Sequence, residues 1–200
     1  MRQLKIDTIV WPVKGVFRIS RSALTEIAVL QVTITDGDVV GRGECRPYAR
    51  YNETCESVTA EIEAVRGDIE KGCTAVQLQS LLSAGAARNA VDCALWDLQC
   101  KKENKRIWEI LGIPAPKPRV TAFTLSVDTP ENMAAAAIKA AGFPLLKMKV
   151  SGETSLKCVS AVLAARPEAK LIIDANEALS PEAVSEFQKQ LPPENAVLIE

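Results

Sequence analysis

Hydrophobic and polar positions change their period twice along this chain of 200 residues. Residues 4–11, 26–35 and 39–44 place apolar side chains beside alternating polar ones, the period of two that marks β-strands. Asp36-Gly37-Asp38 between the last two segments offers a hairpin turn. From residue 52 to about residue 111 the period lengthens to that of helices, with breaks at Gly72, near Gly85 and across 101–105. Ala87, Ala90, Val91, Ala94, Leu95 and Leu98 recur there as one buried stripe. Strands followed by helices predict an α+β unit.

Residues 112–118 hold three prolines and resist both helix and sheet, so they read as a linker. The boundary divides the chain into domains 1–113 and 114–200. Beyond it the order becomes strand, helix, strand: strands at 120–127, 145–150, 170–175 and 196–200, with helices at 131–141, 153–165 and 181–190. Thr129-Pro130-Glu131 and Ser180-Pro181-Glu182 each supply an N-cap, a proline in the first turn and an early acid. Repeating βα units of about 25 residues with largely apolar strands predict a parallel sheet covered by helices. A closed eight-stranded barrel and an open doubly wound sheet both satisfy this period. The glycine-rich phosphate-binding patterns are missing, which weighs against nucleotide-binding open sheets. In either fold the chemistry belongs at the carboxyl ends of the strands.

Composition narrows the partners. Twenty-four basic and 25 acidic residues leave a net charge of -1, so no global field favours nucleic acid or an anionic membrane, and a small molecule is the expected partner. No run approaches the roughly 18 apolar residues of a membrane span, and the first residues lack a signal-peptide core; the expected location is cytoplasmic. The six cysteines are irregularly spaced without a C-x-x-C pair, so they read as reduced core residues rather than a disulfide framework or zinc site. Histidine is absent, which removes the commonest general base and the usual triads.

Against that background one cluster carries chemistry. Lys147 and Lys149 end an apolar run and, two residues apart on a strand, project to the same face. Each ammonium disfavours protonation of the other, which is how one lysine of such a pair serves as a neutral base. Asp174 closes the next apolar strand and Glu200 the one after it. Two hard oxygen ligands on neighbouring strand ends suit Mg²⁺. A lysine base beside a hard cation suggests removal of a proton α to a carboxylate, with the metal holding the enolate oxygens.

Lys147-x-Lys149, Asp174-Ala175-Asn176 and Leu198-Ile199-Glu200 resemble the muconate-lactonizing subgroup of the enolase superfamily, and residues 87–98 resemble its signature helix. Residues 43–51, 84–89 and 121–124 are similar, more narrowly, to bacterial dipeptide epimerases acting on L-Ala-D/L-Glu. The resemblance covers essentially the whole chain. It implies an α+β capping and lid domain followed by the first four strands of a (β/α) TIM-type barrel, and a Mg²⁺-dependent isomerase of murein peptide recycling whose partner is a dipeptide. By the same resemblance Lys149 is the base on one substrate face and Lys147 a supporting cation at the substrate carboxylate. Asp174 and Glu200 become two of three Mg²⁺ ligands. Thr124 contacts substrate, and Arg21, in the loop between the first two strands, receives a glutamate side chain. That loop and residues 45–54 form the lid. Trp96 belongs to the core, and Cys100 departs from the signature's small residue.

The pattern's third carboxylate, its second lysine and an acidic pair for the dipeptide ammonium lie beyond Glu200, so the chain alone is expected not to epimerise. A half-barrel with an apolar edge is also expected to associate, a homo-oligomer being one such outcome. The same residues serve muconate cycloisomerases, o-succinylbenzoate synthases and N-acylamino-acid racemases. They are also compatible with a non-catalytic binding module and with a Schiff-base lysine enzyme.

Overall fold

The computed structural model describes residues 2–200; Met1, where the first expected domain begins, lies outside the described residues. The described residues divide into two compact units, residues 2–12 with 26–117 and residues 13–25 with 118–200.

β1 (Gln3–Ile19), β2 (Ser22–Asp36) and β3 (Val39–Cys45) form a sheet in the order β1-β2-β3, of which residues 13–25, the end of β1 and the start of β2, belong to the second unit and the rest to the first. β2 and β3 pair antiparallel with Asp36 opposite Val39, so Gly37 and Asp38 form a two-residue turn, and Gly37 takes φ 62°. A 3-10 turn (Ala49–Tyr51) follows, then the α-helices α1 (Cys55–Ala64), α2 (Arg66–Lys71), α3 (Ala75–Leu81), α4 (Ala86–Glu103) and α5 (Ile107–Ile110). Thr54 and Thr74 cap α1 and α3 through reciprocal bonds with Ser57 and Gln77. Alternate residues Leu30, Val32 and Ile34 of β2 are fully buried with the stripe Ala87, Ala90, Val91 and Ala94 of α4. The close fit of β3 to α4 needs glycine at two positions. A Cβ on Gly41 would lie 2.3 Å from the Ala94 carbonyl oxygen, and one on Gly43 2.0 Å from that of Ala90.

β1 and β2 run far beyond the expected 4–11 and 26–35. β1 is an edge strand, the position in a sheet where a proline such as Pro12 is tolerated. The expected loop is therefore a turn of two residues, Ser20 and Arg21, at the tip of a long hairpin. Cys93 corrects a second expectation, that of cysteines in the core: it is exposed, unlike the buried Cys45, Cys73 and Cys158.

The second unit carries a parallel sheet in the order β4 (Ala122–Leu125), β5 (Leu145–Lys149), β6 (Lys170–Asp174) and β7 (Ala196–Ile199). The strands are connected by α6 (Pro130–Lys139), α7 (Ser155–Ala165) and α8 (Pro181–Gln190). Thr129 and Ser180 accept from the backbone N–H three residues on, with proline in each first turn. Leu146, Met148, Leu171 and Ile173 bury one sheet face with Met133, Ala137, Val159 and Val162 from the helices. The intervening positions, Lys147, Lys149, Ile172 and Asp174, fall by the period of two on the other face. The unit is the first half of a (β/α) barrel. Arg166, buried at the end of α7, donates to the carbonyls of Ala137, Ala140 and Phe143 and ties α6 and the start of β5 to it.

Candidate active site

Parallel register decides which polar groups meet. Lys149 at the end of β5 lies opposite Asp174 at the end of β6, and Thr124 of β4 lies opposite Lys147. Glu200 follows β7; its N–H donates to Ile173 O at 2.8 Å, and its carbonyl accepts from Ala175 N at 2.8 Å. Lys149 Nζ donates to Asp174 Oδ2. Lys147 Nζ reaches the same oxygen at 2.9 Å and also donates to Glu200 Oε1, so one ammonium bridges both carboxylates. The structure thus brings Lys147, Lys149, Asp174 and Glu200 into one cluster, with Thr124 on the adjacent strand.

Burial and charge act in opposite directions on it. Lys149 and Asp174 are 8% and 5% exposed, a cost to ionised groups that only close pairing offsets. Burial alone would push the Asp174 carboxyl up; hydrogen bonds from Lys149, Lys147 and Asn176 N–H outweigh it and hold the group well below the ordinary carboxylate range. The like-charge effect expected within the lysine pair is reversed at Lys147. Its hydrogen bonds to Glu200 and Asp174 push it above the ordinary lysine value, so Lys147 holds its proton more tightly than a free lysine. The fold brings two carboxylates into direct contact with this ammonium, and they outweigh the neighbouring lysine.

Arg21 stands at the hairpin tip. Its Nη1 donates to Asn176 O at 3.3 Å and to Glu177 Oε2 at 3.1 Å, while Ser20 Oγ donates to Asn176 O at 3.4 Å. Val127 N–H donates to Arg18 O at 3.1 Å from the end of β4. Arg21 and Ser20 also line a hollow of about 350 Å³ with Arg18, Val127 and Ser151. Glu177 and Ser20 were not legible as site residues. A glutamate and a serine in polar loops carry no periodic signal, and only the placement of the hairpin tip gives them partners. Asn176 and Glu177 both adopt left-handed backbone, at φ 47° and 68°, and Asn176 Oδ1 is buried without a hydrogen-bond partner.

The donor set fits a hard divalent cation in part. Asp174 and Glu200 offer carboxylate oxygens from neighbouring strand ends, and the Lys147 ammonium between them marks a position that already attracts positive charge. Among the described residues no group of three acidic, cysteine or histidine side chains converges on one point. No helix is long and apolar enough to cross a membrane among the described residues. A larger hollow, about 640 Å³, lies along α4 and α5 beside Trp96, Cys100, Arg106 and Trp108, but it gathers no comparable set of reactive groups.

Residues 1–112 match the family described as mandelate racemase / muconate lactonizing enzyme, N-terminal domain. The chain is 40% identical over 187 residues to the L-Ala-D/L-Glu epimerase of Escherichia coli strain K12, covering 92% of this chain and 58% of that protein. An enolase family member from Agrobacterium tumefaciens with homology to dipeptide epimerases, solved with sodium and L-Ala-L-Glu, superposes with a TM-score of 0.92 at 44% identity. That match covers 100% of this chain and 61% of the other. A dipeptide epimerase from Enterococcus faecalis V583, complexed with Mg and L-Leu-L-Tyr, gives a TM-score of 0.88 at 26% identity, covering 98% and 59%. The chain therefore spans less than two thirds of each of these relatives.

Proposed function

The chain belongs to the mandelate racemase / muconate lactonizing enzyme family, and from that premise we propose that the whole protein epimerises the α-carbon of an L-Ala-X dipeptide, with an acidic X preferred. The observation that carries the proposal is the buried Lys149–Asp174 pair in direct register on β5 and β6, with Lys147 bridging Asp174 and Glu200.

Lys149 takes the proton from the substrate α-carbon at Nζ. Lys147, kept charged by its two carboxylates, sits on the same strand face and neutralises the substrate carboxylate as negative charge spreads onto it. Thr124, opposite Lys147, offers a hydroxyl to the same end of the substrate. Burial of Lys149 and Asp174 keeps water from the proton in transit. Asp174 and Glu200 would hold Mg²⁺, which when bound acidifies the α-proton by drawing charge from the carboxylate. At the other end Arg21 takes the acidic side chain of X; its present contact with a carboxylate, Glu177, supports that assignment.

The test is α-hydrogen exchange of L-Ala-L-Glu by the whole protein in deuterated water with Mg²⁺, followed by NMR. Exchange is expected, and Lys149→Ala is expected to abolish it from at least one stereoisomer. Absence of exchange with every Ala-X dipeptide tried would overturn the proposal, and unchanged exchange in the variant would remove Lys149 from the role of base.

A further inference from the structure

The turn after β6 does more than end a strand. Asp174 Oδ1 accepts from Asn176 N–H at 2.9 Å, and Asn176 O in turn accepts from both Ser20 and Arg21. A continuous path of hydrogen bonds therefore runs from Lys149 through Asp174 and Asn176 to the hairpin tip. Two consecutive non-glycine residues in left-handed backbone are unfavourable and persist only where surrounding contacts determine them. Here the conformation accompanies a carbonyl and a carboxylate, Asn176 O and Glu177 Oε2, that converge on one nitrogen of Arg21.

From this geometry we infer that Glu177 is a positioning residue for Arg21, fixing the guanidinium by Nη1 so that its remaining donors are presented together to a substrate carboxylate. The inference rests on the epimerase reading above. The contacts from Asn176 O and Glu177 Oε2 both use Nη1. A guanidinium carries five N–H donors in a rigid fork, and its Nε and Nη2 hydrogens are parallel, the arrangement that grips a carboxylate with two bonds. Holding Nη1 fixes the direction of that second edge and removes the rotamer freedom of a long side chain before substrate arrives. Glu177 is two-thirds exposed and Arg21 two-fifths, so the pair is weak as a source of stability, and its effect falls on orientation. Since the turn is braced by Asp174, the distance from Lys149 to the side-chain reader is set by the same few bonds that order the reacting end.

The experiment separates orientation from general damage. Glu177→Ala in the whole protein is expected to raise KM for L-Ala-L-Glu by about three- to fivefold, with kcat changed by less than about twofold. KM for L-Ala-L-Leu, which has no side-chain carboxylate, is expected to stay within about twofold, and Glu177→Gln, which keeps an acceptor for Nη1, should recover most of the loss. A fall in KM for the acidic dipeptide would overturn the inference, because Glu177 would then compete with substrate for Arg21. Equal changes for both dipeptides would overturn it too. If the wild-type protein processes neither dipeptide, the functional reading fails, and phenylglyoxal modification of Arg21, followed by peptide mass spectrometry, still decides the inference. Faster modification in Glu177→Ala than in the wild type and Glu177→Gln is expected; equal rates would overturn the positioning role.

Discussion

Replacing Gly43 by alanine tests the packing that holds the first unit together. The added Cβ would meet Ala90 O at 2.0 Å, Ala94 N at 2.7 Å and Cys93 Cβ at 3.0 Å. The first two obstacles are helix backbone and cannot rotate aside, so β3 and α4 must separate by more than about 1 Å to restore ordinary contact distances near 3.5 Å. A gap of that size forfeits a quarter to a half of the attraction along the contact, and overpacking of this kind costs about 1–3 kcal/mol. Because the clash is with backbone, the upper end applies. The smaller freedom of alanine in the unfolded chain offsets about 0.5 kcal/mol. The net expectation is a loss of about 2.5 kcal/mol, and at a urea m-value of about 2 kcal/mol/M the unfolding midpoint falls by about 1.2 M. Gly67→Ala is the control: it lies in α2 with nothing within 4 Å of its added Cβ, and it should gain about 0.5–1 kcal/mol. Urea titrations followed by circular dichroism measure both. A Gly43→Ala midpoint within about 0.2 M of wild type would refute the close-packing account.

Three further perturbations have definite outcomes. Arg166→Ala strands the carbonyls of Ala137, Ala140 and Phe143 and should cost about 3 kcal/mol, read as a lowered thermal midpoint; a shift under about 1 °C would show that water replaces the guanidinium without penalty. Asp174→Asn removes the carboxylate facing the buried Lys149 and should cost about 3 kcal/mol, while Asp174→Asn with Lys149→Met should recover much of it; additive losses in denaturant titrations would refute the pairing. Burial, then the nearby Glu53 charge, pushes the Cys45 thiol up to about 11 from its usual 9.0. Its alkylation by iodoacetamide, resolved by mass spectrometry, should thus be slow at pH 8 and climb about tenfold per pH unit toward pH 11. The sign for stability follows: the folded state keeps the proton more tightly, so this contribution is intact below pH 9 and lost as pH rises toward 11. A flat labelling profile would contradict it.

Much of the architecture was legible because each signal is local. The caps at Thr129 and Ser180 and the two-residue turn at Gly37 act within a few residues and need no partner elsewhere. The alternation Leu146, Lys147, Met148, Lys149 likewise assigns one face of β5 to the helices and the other to chemistry. Strand ends are equally local, so Lys147, Lys149, Asp174 and Glu200 could be named as a group from spacing and from the family pattern they resemble.

Tertiary structure decided what those residues do to one another. Parallel register set Lys149 opposite Asp174 and let Lys147 span two carboxylates, which raise its proton affinity against the opposing effect of the neighbouring lysine. β1 and β2 continue to a two-residue turn, converting an expected loop into a hairpin tip where, within the second unit, Arg21 meets Asn176 and Glu177, more than 150 residues further along the chain. The hydrophobic period specifies which face of an element is buried, since that depends on neighbours one to four positions away. Charge balance and guanidinium orientation depend on groups within a few ångströms in space, and those neighbours exist only after the sheet has chosen its register.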